Sequence, residues 1–430
     1  MTSPVPENIR MEDYTYELPD GKIAKYPLED RAASKLLVYD RGKISHTPFR
    51  DIVRLAGGYG MLVLNNSKVI QARILMNKPS GAAIEIFLLE PLDPADYNGA
   101  FSASPGCRWK CMTGNKKRWK GGALSKKIMA GESEVTLETL MTADHGAWQE
   151  IQFTWEPDSL PFGLVIDGAG LTPVPPYLNR LPVPEDKAWY QTVYSRYEGS
   201  VAAPTAGLHF TGEILDKLRR SGSATGEITL HVGAGTFVPV KSETVLNHTM
   251  HAEHFSVTGK TIRQIIKNAG LVTAIGTTSV RALESLYWLG VKEIKGCSRV
   301  TVKQLENRGQ TTGRNPGYFS LSQWEYAGLP DDIPAEAALE ALLHKLSALD
   351  EDVLEAKTEM MIIPGYRFRI TDRLITNFHQ PGSTLLLLVA AFIGGDWRRV
   401  YDYALKNDFR FLSYGDSSLL IPLQAAVNPG

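Results

Sequence analysis

Three times in the second half of the chain, a short apolar run ends in a turn of small or hydroxylated residues and passes into a helical segment. EITLHV (227–232) leads into GAGTF, LVTAIG (271–276) into TTSVRALESLYWL, and RLITNF (373–378) into HQPGSTLLLLVAAFIG. Strands that alternate with helices are expected to form a mainly parallel sheet, because each crossover helix returns the chain to the same end. Ligands of such sheets sit beyond the carboxyl ends of the strands. The turns are therefore where chemistry is expected.

Upstream the pattern differs. Residues 1–75 read as mixed, with strands at KLLVYD (35–40) and GMLVLNN (60–66). Residues 76–160 carry short alternating runs, AAIEIFLLE (82–90), EVTLETL (134–140) and EIQFTW (150–155), with Gly, Pro and Lys between them. That spacing predicts a small all-β, barrel-like domain. The expected fold is thus an α/β domain built from 1–75 and 161–430, its sheet mainly parallel, interrupted by the β domain at 76–160. The stretch 290–358 breaks the strand–helix rhythm and reads as an insertion. Within it Leu339, Leu342, Leu343 and Leu346 form a stripe at helical spacing, and Pro334 is placed to open the helix. An acidic amphipathic helix of this kind packs on the body; the alternative is a partner surface.

Composition excludes several classes. At 430 residues, 43% apolar and 22% charged, the chain resembles an ordinary multi-domain globular protein rather than a disordered one. Lys plus Arg is 46 against 47 Asp plus Glu, so no global charge draws it to nucleic acid or an anionic membrane. Three cysteines (Cys107, Cys111, Cys297) fit no zinc spacing and suit a reducing compartment. The first twenty residues lack the pattern of a secretory leader, and the longest apolar run, Leu385 to Ile393, has nine residues, too few to span a bilayer. A cytoplasmic protein with no membrane partner is expected.

The turns supply the candidate residues. GSVAAPTAGLHFTGEIL (199–215) offers small residues for close backbone approach, a cap at Thr211, and His209. LHVGAGTFVPV (230–240) holds His231, Gly233 and Gly235, but Val238 stands where a dinucleotide fingerprint needs a third glycine. A nucleoside against bare backbone suits it better than NAD. IGTTSVRALES (275–285) places Thr277, Thr278 and Ser279 at a helix start, where free N–H groups favour an anion, with Arg281 and Glu284 one turn on. The alternative is a capped helix with Arg281 paired to Glu284 or another acid. His248, His251, Glu253 and His254 cluster without the HExxH spacing, so a polar loop near the site is expected rather than a metal centre. TNFHQPGST (376–384) adds His379 and SYGDSSLL (413–420) adds Asp416. Residues 108–127 carry eight basic residues and no acid, with Trp109 and Trp119 among them. Lys116, Lys117 and Arg118 would contact nucleic-acid phosphates there while the aromatics stack; a solvated hairpin is the alternative.

Taken together, the chain resembles the S-adenosylmethionine:tRNA ribosyltransferase-isomerase family. The blocks run in order: YELPDGKIAKYPLEDRAASKLLVYDR (16–41), VLNNSKVIQARI (63–74), VPPYLNR (174–180), YQTVYSRYEGSVAAPTAGLHFT (190–211), LHVGAGTFVPV, HTMHAEHF (248–255), IGTTSVRALES, IIPGYRF (362–368), LITNFHQPGSTLLLLVAAFIG (374–394) and FRFLSYGDSSLL (409–420). The resemblance implies an α/β domain interrupted by a small β-barrel domain. It also implies the reaction: the ribosyl part of S-adenosylmethionine passes to 7-aminomethyl-7-deazaguanine at the tRNA wobble position and isomerises to give epoxyqueuosine, releasing adenine and methionine. No metal or cofactor is implied, since the donor is a consumed substrate; a monomer is favoured. C5′ of the sulfonium must lose a proton, the methionyl carboxylate needs an anion site, and adenine needs hydrogen bonding as it leaves. His209, His231 and His379, all in strand-end loops, are the candidate acids and bases. Gly233, Gly235, Thr277, Thr278, Ser279, Arg281, Glu284 and Asp416 are the candidate substrate contacts. The 290–358 stretch and the QPGST loop after His379 depart from the family's usual pattern. Two rival readings are a transferase using the same donor with another acceptor, and a non-catalytic tRNA-binding protein.

Overall fold

In this computed structural model the described residues are 9–423, apart from 59, 79, 120, 234–239, 241 and 299–318. The first strands are β1 (Lys35–Asp40), β2 (Lys43–Pro48), β3 (Met61–Asn65) and a short β4 (Ser67–Val69). Next come β5 (Arg73–Asn77), β6 (Ala83–Asp93), β7 (Gly106–Gly114), β8 (Leu124–Ala130), β9 (Ser133–Asp144), β10 (Gln149–Glu156) and β11 (Gly170–Leu171). The chain then forms β12 (Tyr197–Ser200), β13 (Ala224–Leu230), β14 (Glu253–Thr258) and β15 (Val272–Ile275). It ends with β16 (Phe319–Leu321), β17 (Val353–Thr358), β18 (Arg373–Asn377) and β19 (Ser417–Ile421).

Burial separates two kinds of strand. β3 and β15 are buried at every position, and β1 and β18 nearly so, the signature of strands covered on both faces. Successive residues feed opposite cores: Met61 and Val63 join one cluster, Leu62 and Leu64 the other. β8 and β10 instead alternate buried and open residues, as strands with one wet face do.

The buried strands belong to a ten-stranded sheet ordered β16-β17-β14-β13-β3-β15-β18-β19-β1-β2. Five pairings run parallel, β16–β17, β13–β3, β3–β15, β15–β18 and β19–β1. The other four run antiparallel, β17–β14, β14–β13, β18–β19 and β1–β2. The sheet is therefore mixed rather than mainly parallel. The expectation rests on strand–helix units, but β19 pairs antiparallel with β18 although helices Thr384–Ile393 and Trp397–Lys406 lie between them, and β14 enters antiparallel to both β13 and β17. β2 returns from β1 through Arg41 and Gly42, both at positive φ, which is the backbone of a tight hairpin. With these directions, β3, β13, β15, β17 and β18 all end at one edge, and β14, β19 and β1 begin there.

Helix Thr277–Ile294 is buried along most of its length against this sheet, and helix Ala335–Leu349 packs on it through Ala338, Leu339, Leu342 and Leu346. A Cβ on Gly290 would lie 2.0 Å from the Ala338 carbonyl oxygen, so glycine lets the two helices meet. The second sheet is antiparallel, ordered β11-β5-β6-β7-β10-β9-β8. It curls until β5 and β8 touch, with β11 and β8 at its two ends, and helix Phe162–Ala169 buries Phe162, Val165, Ile166 and Ala169 in its core. Trp109 and Trp119 are part of that core. The parallel pair β4–β12 lies where the chain leaves for this sheet and returns from it. Among the described residues no helix is long and apolar enough to cross a membrane.

Candidate active site

Two clefts adjoin at the edge where β13, β15, β17 and β18 end, sharing Thr277, Thr278 and Leu385. Ala202, Ala203, Thr205, Gly276, Asn377 and His379 line the first. His248, His251, Glu253, Arg281 and Met360 line the second. The small side chains expected at 202–206 form one wall, and the polar 248–253 loop borders the other cleft.

Between the clefts stands the start of helix Thr277–Ile294. Gly276 precedes it at φ +89° and supplies no side-chain cap. The first backbone bond into the helix runs from Val280 N to Gly276 O at 3.2 Å, so the amides of 277–279 lack helical partners. Ser279 turns inward, its Oγ donating to Ile275 O at 2.7 Å. Only Thr277 and Thr278 of the three hydroxyls border the clefts.

Arg281 pairs with Glu253, the first residue of β14, and the two side chains are 11% and 4% exposed. Burial pushes the guanidinium down to about 10. Arg281 Nε has no hydrogen-bond partner among the described residues. Glu284 is occupied elsewhere. Its carboxylate accepts from Tyr366 Oη (2.9 Å) and from the amides of Arg369 (2.8 Å), Ile370 (3.2 Å) and Thr371 (2.9 Å). It clamps the lead-in to β18 rather than facing either cleft, a correction to its place among the substrate contacts. Asp416 is also internal: it accepts from the amides of Lys35 (3.0 Å) and Arg410 (2.8 Å) and pairs with the Arg410 guanidinium at 3.5 Å.

The three candidate histidines separate. His379 lines the first cleft, with Nε2 2.9 Å from Thr376 Oγ1 and burial depressing its pKa to about 3. His209 lies behind that wall. Its Nδ1 is 2.8 Å from Ser34 Oγ and its Nε2 3.3 Å from Asn377 Nδ2, and burial likewise lowers it to about 3. With both ring nitrogens engaged, it reaches the cleft only through Asn377. His231 turns to the other side of β13, into a groove of about 670 Å³ between the two sheets. There it stacks on Tyr97 at 4.2 Å between centroids. Gly233 has open space where a side chain would be and borders neither cleft. Gly235 lies outside the described residues. Asn377 is not among the residues that the sequence pattern singles out; its signal is a carboxamide at the carboxyl end of β18, where a ligand of such a sheet sits.

The basic segment is rearranged as well. Trp109 and Trp119 are buried, so neither offers a face to a nucleobase. Lys116 Nζ bonds Asp144 at 3.0 Å and Gly146 O at 3.1 Å. Lys117 and Arg118 are exposed, with no ion pair among the described residues.

The queuosine biosynthesis protein family matches residues 11–311 and 336–420, its break falling inside 290–358. An S-adenosylmethionine:tRNA ribosyltransferase-isomerase of Caldanaerobacter subterraneus is 36% identical over 421 residues, covering 96% of this chain and 100% of its own. One of Halothermothrix orenii is 36% identical over 420 residues, with the same coverage of 96% and 100%. The crystal structure of S-adenosylmethionine tRNA ribosyltransferase from Thermotoga maritima, at 2.00 Å, shares 26% identity and a TM-score of 0.43 over 95% of this chain and 100% of that one.

Proposed function

We propose, from the premise that this chain belongs to the queuosine biosynthesis protein family, that the paired clefts are where it works as an S-adenosylmethionine:tRNA ribosyltransferase-isomerase. The enzyme transfers the ribosyl moiety of S-adenosylmethionine to 7-aminomethyl-7-deazaguanine at the tRNA wobble position and isomerises it. Epoxyqueuosine forms, and adenine and methionine leave. The observation that carries the site is the uncapped helix start at 277–279 standing between a cleft lined by Asn377 and His379 and one lined by Glu253 and Arg281. The amides and the Thr277 and Thr278 hydroxyls would hold the methionyl carboxylate, with Arg281 behind them. The nucleoside would lie along Ala202, Ala203 and Leu385.

His379 would take the C5′ proton. Burial keeps its ring neutral, so a lone pair is available, and the sulfonium acidifies the carbon. A carboxylate bound nearby would favour the imidazolium and raise its basicity once the donor is in place. No cofactor is invoked, because the donor is itself consumed. Lys117 and Arg118 would meet tRNA phosphates. The enzyme would act as a cytoplasmic monomer on tRNA already carrying the aminomethyl base.

The test is incubation with S-adenosylmethionine and such a tRNA, followed by nucleoside analysis. Epoxyqueuosine with adenine and methionine is the expected outcome. S-adenosylhomocysteine would indicate methyl transfer, and tRNA binding without turnover a non-catalytic protein.

A further inference from the structure

Asn377 closes β18 and is 3% exposed. Its Nδ2 donates to the backbone carbonyl of Asp416 at 3.3 Å and lies 3.3 Å from His209 Nε2. A backbone carbonyl only accepts, so the nitrogen of this amide is fixed on that side. The neighbouring bonds agree. Ser34 Oγ donates to Arg31 O at 3.0 Å, so the proton shared with His209 at 2.8 Å belongs to Nδ1, leaving Nε2 as an acceptor for Asn377. Both Nδ2 hydrogens are thereby engaged behind the wall. The opposite atom, Oδ1, is buried with no hydrogen-bond partner among the described residues, and Asn377 lines the first cleft. A buried acceptor left unpaired is costly, and its pairing is the business of whatever enters.

We infer that Asn377 Oδ1 is a specificity-determining acceptor for an N–H or O–H donor on the nucleoside half of the substrate, held in register by His209 and the Asp416 carbonyl. This rests on the reading that the first cleft takes that half of S-adenosylmethionine. Two groups there have the right chemistry, the exocyclic amine of adenine and a ribose hydroxyl. The geometry makes His209 a positioning residue, since it touches the amide and not the cleft.

The test measures kcat/KM at saturating tRNA for three donors: S-adenosylmethionine, its deaminated S-inosyl analogue and its 3′-deoxy analogue. In the wild type one analogue should fall about 10- to 100-fold, because the acceptor loses its partner. The deaminated donor falling identifies the amine, and the 3′-deoxy donor falling identifies the hydroxyl. In Asn377→Leu that discrimination should shrink to about two-fold while the other ratio stays put. Asn377→Ala gives the same readout should the leucine variant fail to fold. Equal analogue ratios in wild type and both variants would overturn the role of Asn377. Ala203→Trp, which fills the cleft, separates this from failure of the site: full activity in that variant, toward all three donors, would remove the cleft reading and this inference with it. Loss of activity there, with unchanged ratios in the Asn377 variants, would overturn the inference alone.

Discussion

Arg281→Ala removes one half of a buried ion pair. The partner, Glu253, has 4% of its side chain exposed and would lose the guanidinium that pairs with it between β14 and helix Thr277–Ile294. Breaking such a pair from one side costs about 3–5 kcal/mol. At about 2.1 cal/mol/K per residue, the unfolding entropy of a chain this long is roughly 0.9 kcal/mol/K, so the midpoint should fall by about 3–6 °C. Replacing both partners, Arg281→Met with Glu253→Leu, removes the buried carboxylate together with its cation and should restore the midpoint or raise it. Donor use separates from stability. Each variant lacks the cation behind the 277–279 amides, so kcat/KM for S-adenosylmethionine should drop about ten-fold or more in both, the value of one charge-assisted hydrogen bond. Calorimetric melts and initial rates on the same preparations decide. A single variant that melts with the wild type would refute the buried pair. A double variant with full donor affinity would refute the carboxylate's placement while leaving the pair intact.

Other outcomes follow from the same geometry. His379→Ala should lower kcat by about 10²- to 10⁴-fold with the melt little changed, checked by single-turnover release of adenine. His209 and His379 are held neutral with pKa values near 3. The unfolded chain, with histidines near 6.5, therefore binds protons that the folded state refuses as pH falls below that value. Each should remove about 2 kcal/mol of stability by pH 5, and His209→Gln should melt with a correspondingly shallower pH dependence between 7 and 5. Replacing Lys117 and Arg118 with Gln should reduce the salt slope of tRNA binding by about 0.9 for each phosphate no longer neutralised; an unchanged slope would make them solvated surface. Trp109→Ala, in contrast, should cost about 3–5 kcal/mol in stability, measured by chemical denaturation, because its ring is core and not a stacking platform.

The turns at 275–285 and 373–384 were readable because each joins a largely apolar strand to a helix, and the two meet at one cleft. What stayed hidden depends on long-range pairing. VLEAK sits at the end of an amphipathic stretch, yet β17 forms there because β14 and β16 offer edges to either side. Glu253 looked like part of a histidine loop until β14 set it against Arg281. Glu284 lies further along the helix that opens with the unpartnered amides of 277–279, but the 366–371 segment folds over its carboxylate and occupies it. Basic residues with tryptophans between them look alike in a hairpin and in a nucleic-acid groove. Only strand alternation, which turns Trp109 inward and Arg108 and Lys110 outward, distinguishes the two.

If the donor is consumed in the cleft between Ala203, Thr277 and His379, filling that cleft must stop turnover. The measurement counts adenine and methionine released per modified tRNA by wild type and by Ala203→Trp, with folding and tRNA binding verified for both. One adenine and one methionine per epoxyqueuosine are expected from the wild type, and none of the three from the blocked variant. Wild-type turnover from a variant whose cleft is filled would contradict that placement of the donor.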